Sequence, residues 1–413
     1  MQRLQAFKFE LMPNGEQQRN MRRFAGARRF VYNKALDIQK TNYAAGAKFI
    51  GYVAMANRLP EWKKEFEWLK ESPSHTLQQS LKDAERALKN FFEKRAGFPR
   101  FKKRGVGDSF RFPDSRQFEV DQGNSRIKVP KLGWMRYRNS RDIPGTAKNI
   151  TISQSGGKWF ASIQTGREVE QPIPTATSAV GIDMGIVRFA TLSDGSFTRP
   201  LDSFKKHEDR LAKLSRKMSR KKKFSKNWFK AKRQVQKIHT RIANARKDFL
   251  HKATTEISKN HAMVAIEDLQ VRNMSQSAQG TTEAPGKNVA AKSGLNKSIL
   301  DQGWFEFRRQ LEYKLNWNGA IFVPVPAHYT SQTCPACGFV AKENRQTQAK
   351  FVCMDCGFEA NADVVGAMNV LARGHRVAAC GEDGSGLARK RRALPASVKQ
   401  EPTEATIREA THA

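Results

Sequence analysis

Between residues 13 and 97 apolar side chains recur every three or four positions. Met21, Phe24, Ala27, Val31, Ala35 and Ile38 form one stripe; Leu77, Leu81, Ala84, Leu88 and Phe91 form another. Both predict amphipathic helices, with Gly97 and Pro99 as the stop. From about 98 to 175 the period falls to two. SFRF, FEV, RIKV, WMRY, NITIS and WFASIQ read as short strands, and SGG at 155–157 as a hairpin turn. Strands so short and close predict a small β-barrel of the OB kind. QPIPTAT, 171–177, reads as a linker.

A mixed α/β segment follows. VGIDMGIVRFATLSDG, 180–195, predicts two apolar strands joined by a turn, and Met263–Ile266 a buried strand. A helix is expected over about 301–315, with Trp304, Phe307, Leu311 and Leu315 in its core-facing stripe. In EANADVVGAMNVLARG, Val364, Ala367, Met368 and Leu371 mark one helix face, with Asn361 as the cap and Gly374 as the end. The polar stretch 275–294 reads as a mobile loop, and the chain beyond about 376 as a disordered tail.

Charge narrows the function. The 413 residues hold 74 Lys and Arg against 39 Asp and Glu, a net charge of +35. A chain repelling itself this strongly calls for an anionic partner, most often nucleic acid. No apolar run approaches the roughly 18 residues of a membrane span, and the N-terminus lacks the apolar core of a signal peptide. We therefore expect a soluble intracellular protein with no membrane partner. Residues 204–252 contain 19 Lys or Arg against three acids, Glu208, Asp209 and Asp248, which fits a phosphate-tracking face. Candidate contacts are Arg220, Lys221, Lys222 and Lys223 there, and Arg22, Arg23, Arg28 and Arg29 on the first helix. Lys102, Lys103 and Arg104 stand in FPRFKKRG, where aromatics alternate with cations. That segment suits base stacking and phosphate pairing, or equally a solvated basic loop.

Two patterns carry chemistry. CPACG at 334–338 and CMDCG at 353–357 place Cys334, Cys337, Cys353 and Cys356 in two CxxC knuckles. That spacing predicts a closed, structural zinc site. Cys380 lies outside the pattern and is expected to be an unpaired thiol. The second pattern is sparser. Asp183 interrupts an apolar strand, Glu267 ends another, and Asp363 falls in the first turn of the last helix. A carboxylate among apolar neighbours is costly unless a cation compensates it. Three hard oxygen ligands suit Mg²⁺ or Mn²⁺, and such ions support phosphodiester cleavage. Asp268 is the alternative to Glu267.

GIDMGI, AIEDL and NADVVGAMN, with the CxxC pairs between the last two, resemble the split RuvC-type nuclease domain of the TnpB family. These are transposon-encoded, RNA-guided DNA nucleases related to type V CRISPR effectors. FVYNKAL, SFRFP and GLNKSILDQGWFEFRRQLEYKL extend the resemblance over about residues 5–375. After Asp363, VVGAMN replaces an expected Asn/Ala-rich run. The resemblance implies an RNase H-like domain over 178–330 and 359–375, with a zinc ribbon inserted at 331–358. It implies an OB-like, wedge-type barrel over 1–12 and 98–175 carrying a helical recognition insert at 13–97. Asp183, Glu267 and Asp363 match the catalytic carboxylates, and the four cysteines the ribbon ligands. The implied cofactors are Mg²⁺ or Mn²⁺, structural Zn²⁺ and a guide RNA. The partners would be guide RNA from the transposon end and double-stranded target DNA, read beside a short adjacent motif. The setting would be the prokaryotic cytoplasm, at the nucleoid when DNA is bound. A guided repressor that does not cut, a strand-joining transposase and an unguided junction nuclease are the rival readings.

Overall fold

The structure is a computed structural model, which describes residues 1–379. Cys380 and the tail beyond it lie outside the described residues. The chain divides into two compact units, one of residues 1–171 with 214–240, the other of 172–213 with 241 onward.

In the first unit β1 (Gln2–Met12) leads into α1 (Gly15–Ala44). Asn14 caps α1 by accepting from the Gln17 amide, while the Gln17 side chain accepts from the Asn14 amide. With α2 (Tyr52–Ala56), α3 (Leu59–Glu65) and α4 (Ser74–Phe92), α1 encloses a core of Val31, Leu36, Leu69, Leu77 and Leu81. The expected stripes hold, except that Ile38 and Phe91 are only half-buried. Helix α4 stops at Phe92, ahead of Gly97, and residues 93–96 form turns and bends.

Six more strands follow: β2 (Ser109–Phe112), β3 (Glu119–Asp121), β4 (Arg126–Val129), β5 (Gly133–Tyr137), β6 (Thr146–Ser155) and β7 (Lys158–Glu168). They join β1 in one antiparallel sheet, ordered β2-β6-β7-β1-β5-β4-β3. The first strand of the chain thus sits in the middle, paired from Gln2↔Glu168 to Leu11↔Trp159. The sheet wraps Phe9, Phe110, Phe112, Ile127, Ile150 and Trp159. Its short edge strands β2 and β3 are each paired on one side, so strand pairing does not close the expected barrel. The basic stretch forms two helices, α5 (Glu208–Ser219) and α6 (Lys226–Asn260), broken at 220–225.

The second unit is built on β8 (Ala179–Asp183), β9 (Ala190–Leu192), β10 (Phe197–Thr198), β11 (Met263–Glu267) and β12 (Ile321–Val325), in the order β10-β9-β8-β11-β12. β8, β11 and β12 are parallel, and β9 returns antiparallel to β8. Helices α7 (Val271–Met274), α8 (Val289–Gln302) and α9 (Trp304–Asn318) follow β11. Helix α8 begins inside the expected loop, and Gly303 separates it from α9. Trp304, Phe307, Leu311 and Leu315 are buried as expected. The hairpin of β13 (Lys350–Val352) and β14 (Glu359–Asn361) precedes α10 (Ala362–Ala379).

Strand periodicity assigns each β8 and β11 residue to a face. Val180, Ile182, Val264 and Ile266 pack with Leu250, Phe307 and Leu311. Met263 and Ala265 pack with Val323, Val325 and Val370 of α10 on the other side. Helix α10 lies very close: a Cβ on Gly181 would fall 2.1 Å from the Ala367 carbonyl oxygen. Gly374 does not end α10 but meets Ala265 the same way, at 2.5 Å. The helix runs on through Ala379, past the expected boundary at 375. Of the expected face only Ala367 is buried; Val364 and Leu371 are half-buried and Met368 is exposed, while Val365, Gly366, Asn369 and Val370 join Ala367 in the buried stripe.

Gly181→Ala should therefore cost about 1–3 kcal/mol or more, since backbone cannot move aside as a side chain can. Gly97→Ala, in open space, should cost little. Denaturant midpoints of the two variants measure the difference.

Candidate metal-binding active site

Asp183 ends β8 and Glu267 ends the neighbouring parallel strand β11. The register pairs Ile182 with Ile266, so the two acids emerge side by side at the same edge. By alternation both face α10, not the Ile182 side. Asp363 occupies the first turn of α10, and Gly366, one turn on, would bring a Cβ within 3.4 Å of the Asp183 carboxyl. Helix, strand and strand thus present three carboxylates to one region. The N-terminus of α10 adds the positive end of its dipole.

Burial and like charge dominate the electrostatics. The Asp183 carboxyl is pushed up to about 7, first by desolvation, then by Glu267 and Asp363. Desolvation also raises Glu267, opposed by a 2.7 Å hydrogen bond from the Thr330 hydroxyl and by Arg373 and Arg345. Such a set fits a divalent cation: hard oxygen donors, buried or half-buried and mutually repelling, whose charge Arg345 and Arg373 offset only in part. Its residents would be Asp183, Glu267 and Asp363. Among the described residues these acids do not form as tight a cluster as the cysteines do. Asp268, the alternative to Glu267, is more exposed and pairs with Arg308.

The four cysteines form the tight cluster, with ligand atoms all within 4.8 Å of one another. Cys334 and Cys356 Sγ lie 3.7 Å apart, Cys337 and Cys353 Sγ 3.5 Å. A tetrahedron with Zn–S bonds near 2.3 Å has edges of about 3.8 Å, so the donors fit zinc. The two knuckles are alike. Cys334 N donates to Phe339 O and Cys353 N to Phe358 O, both at 2.9 Å. Asn344 ties them together, donating to Gln332 and Phe339 carbonyls and accepting from Met354 N.

This module also positions the acids. β14 ends at Asn361, whose side chain accepts from the amides of Asp363 and Val364 and so caps α10, as expected. Arg345, between the knuckles, donates to Asp363 at 3.2 Å. Thr330, which orients Glu267, is held through its carbonyl by buried Asn369 of α10. Arg345, Thr330 and Asn369 are the residues that sequence reasoning missed. Arg345 and Thr330 lie in stretches without periodicity. Asn369 leaves one trace, a polar residue on the buried stripe of α10.

A family model described as "Probable transposase" matches residues 162–278. One described as "Cas12f1-like, TNB domain" matches 304–370. The "Putative RNA-guided DNA endonuclease InsQ" of Escherichia coli (strain K12) is 59% identical over 98% of both chains. The chain belongs to the TnpB family. A second family relative, the "Putative RNA-guided DNA endonuclease" of Streptomyces pristinaespiralis, is 35% identical over 97% of both chains. The fold is shared with the Cas12f1 chain of a Cas12f1–sgRNA–target DNA complex, at TM-score 0.56 and 12% identity, covering 89% of this chain and 98% of that one. A further family model, described as "Helix-turn-helix domain", matches residues 1–48. Here those residues form a strand and one 30-residue helix.

The candidate phosphate contacts divide into two groups in this TnpB-family chain. Arg28 pairs with Asp83 and donates to Ser109, Arg29 pairs with Asp108, and Arg23 with Glu71, so these three serve internal ion pairs. Lys102 sits over the Tyr32 ring at 3.8 Å, where burial lowers it to about 8. Arg22, Lys103, Arg104, Arg220, Lys221, Lys222 and Lys223 are exposed. Among the described residues, no helix is long and apolar enough to cross a membrane.

Folded Asp183 keeps its proton between the ordinary value of 3.8 and about 7, where the unfolded chain has lost it. Stability of the metal-free protein therefore falls as pH rises through that window. Asp183→Asn removes the cost, so its melting-temperature advantage over the parent should be small near pH 4 and grow to a plateau above pH 7. Paired thermal melts across that range test the sign.

Proposed function

We propose that this protein is a transposon-encoded, RNA-guided DNA endonuclease with one RuvC-type, RNase H-like active site. Asp183, Glu267 and Asp363 hold Mg²⁺ or Mn²⁺, and Cys334, Cys337, Cys353 and Cys356 hold structural zinc. The observation that carries the reading is the shared face: β8 and β11 turn half-buried Asp183 and buried Glu267 toward the helix that bears the third acid. The names of the Escherichia coli and Streptomyces relatives support guided cleavage, and the net charge of +35 supports nucleic-acid partners. Those partners are guide RNA from the transposon end and double-stranded target DNA. The antiparallel sheet and the α1–α4 insert grip the guide–target duplex and read the motif beside it, in a prokaryotic cytoplasm.

Bound divalent ions supply an activated water and neutralise charge at the scissile phosphate. The chain's own residues fix where that happens. Rigid strand ends hold Asp183 and Glu267, which limits the freedom of the ligand oxygens. Thr330 orients Glu267 by its hydrogen bond, and Arg345 steadies Asp363. The ribbon's closed tetrahedral site leaves no open position for substrate, so its role is to hold these groups.

Purified protein with its matching RNA should cut linear target DNA when Mg²⁺ or Mn²⁺ is supplied, and not with a chelator. Asp183→Ala should reduce cutting to background while retaining RNA affinity; continued cutting would refute the assignment. Joining of DNA ends without RNA would instead favour the strand-transfer activity suggested by the matching model's name.

A further inference from the structure

The connection between α5 and α6 and the first turn of α6 carry a group of aromatic rings, two of them largely exposed. Phe224 is 68% exposed and Phe229 44% exposed, with half-buried Trp228 between them. Their centroids are 5.5 Å apart for Phe224–Trp228 and 5.1 Å for Trp228–Phe229. Lys223 sits 5.4 Å from the Phe224 ring and Lys232 5.0 Å from that of Trp228. Phe224 is also held at φ +68°, a left-handed conformation that bulky residues rarely adopt. Exposure and backbone strain at one residue are both unfavourable for the isolated fold, and such residues gather at ligand sites.

The charge around the rings identifies the ligand class. From Arg216 to Lys237 the chain has eleven Lys or Arg and no Asp or Glu. None of the eleven forms a salt bridge among the described residues. The other aromatic recess of this unit differs. Around Phe30, Phe66 and Trp68, the cations Arg23, Arg29 and Lys34 are already paired with Glu71, Asp108 and Glu65. Uncompensated cations interleaved with exposed rings match a strand whose phosphates bind lysine and whose bases stack. A closed duplex would satisfy the lysines but offer no free base faces to the rings.

We infer that Phe224, Trp228 and Phe229 form a base-stacking platform for an unpaired stretch of nucleic acid, with its phosphates held by Lys221, Lys222 and Lys223. This rests on the nucleic-acid reading above but assigns a site that the catalytic geometry does not require. Stacking on aromatic residues is nearly independent of salt, whereas phosphate contacts set the salt slope.

The test uses full-length protein and three labelled single strands of equal length: oligothymidine, oligouridine and an abasic DNA. Phe224→Gly suits the left-handed backbone, so the variant should melt at or above the wild-type temperature. It should bind the base-bearing strands about five- to hundredfold more weakly, with an unchanged salt slope. On abasic DNA it should match wild type. A loss on oligothymidine alone or oligouridine alone supports the platform and identifies DNA or RNA as its strand. The variant combining Lys221→Ala, Lys222→Ala and Lys223→Ala should weaken all three strands and flatten the slope. Wild-type affinity of Phe224→Gly for both base-bearing strands overturns the platform, as does an equal loss on abasic DNA. Guided cleavage by wild type would then persist, leaving the nuclease reading intact. Failure of wild type to bind any of the strands defeats the platform and, unless guided cleavage is still seen, the nuclease reading with it.

Discussion

Two acids on the same face of adjacent parallel strands, one buried and one half-buried, beneath a helix bearing a third, are the constraint on which this structure depends. Period-two alternation sends Ile182 and Ile266 into the apolar core, so Asp183 and Glu267 must turn toward α10. No repacking of side chains can separate them without moving a strand. Desolvation first, and then repulsion from Glu267 and Asp363, raise the Asp183 carboxyl, so the arrangement is unfavourable until positive charge arrives. Gly181 and Gly374 make the arrangement possible, since any side chain there would lift α10 away from the sheet.

The cysteine module acts as a bracket around this site. Its second hairpin strand runs directly into the cap of α10, so the position of Asp363 is tied to that of the four thiols. Arg345 reaches Asp363 from the same module, and Thr330, just ahead of Cys334, reaches Glu267. Asn369 returns the contact from α10 to the Thr330 and Thr333 carbonyls. The four-cysteine site is therefore coupled to the acids through hydrogen bonds and helix geometry rather than through shared ligands.

Much of this was legible in the sequence, for identifiable reasons. The strands SFRF and RIKV and the acids at the ends of β8 and β11 stand out because polarity breaks a clean period. The cysteines stand out by spacing alone. Misreadings fell where tertiary contact overrides local preference. Gly374 looks like a helix stop but is a contact point, and α8 begins in a stretch whose composition reads as loop. The ion pairs of Arg23, Arg28 and Arg29 with Glu71, Asp83 and Asp108 leave no trace in the sequence, because the partners are distant in the chain. Strand order was equally hidden, since only the fold shows that β1 fills the centre of the first sheet.

The most direct measurement is anomalous scattering from Mn²⁺ in crystals of the guide-loaded protein. The account predicts Mn²⁺ density coordinated by oxygens of Asp183, Glu267 and Asp363, at about 2.0–2.3 Å, the carboxylates having drawn together around it. Density confined to other residues, or none at these three under conditions that support cleavage, would contradict it.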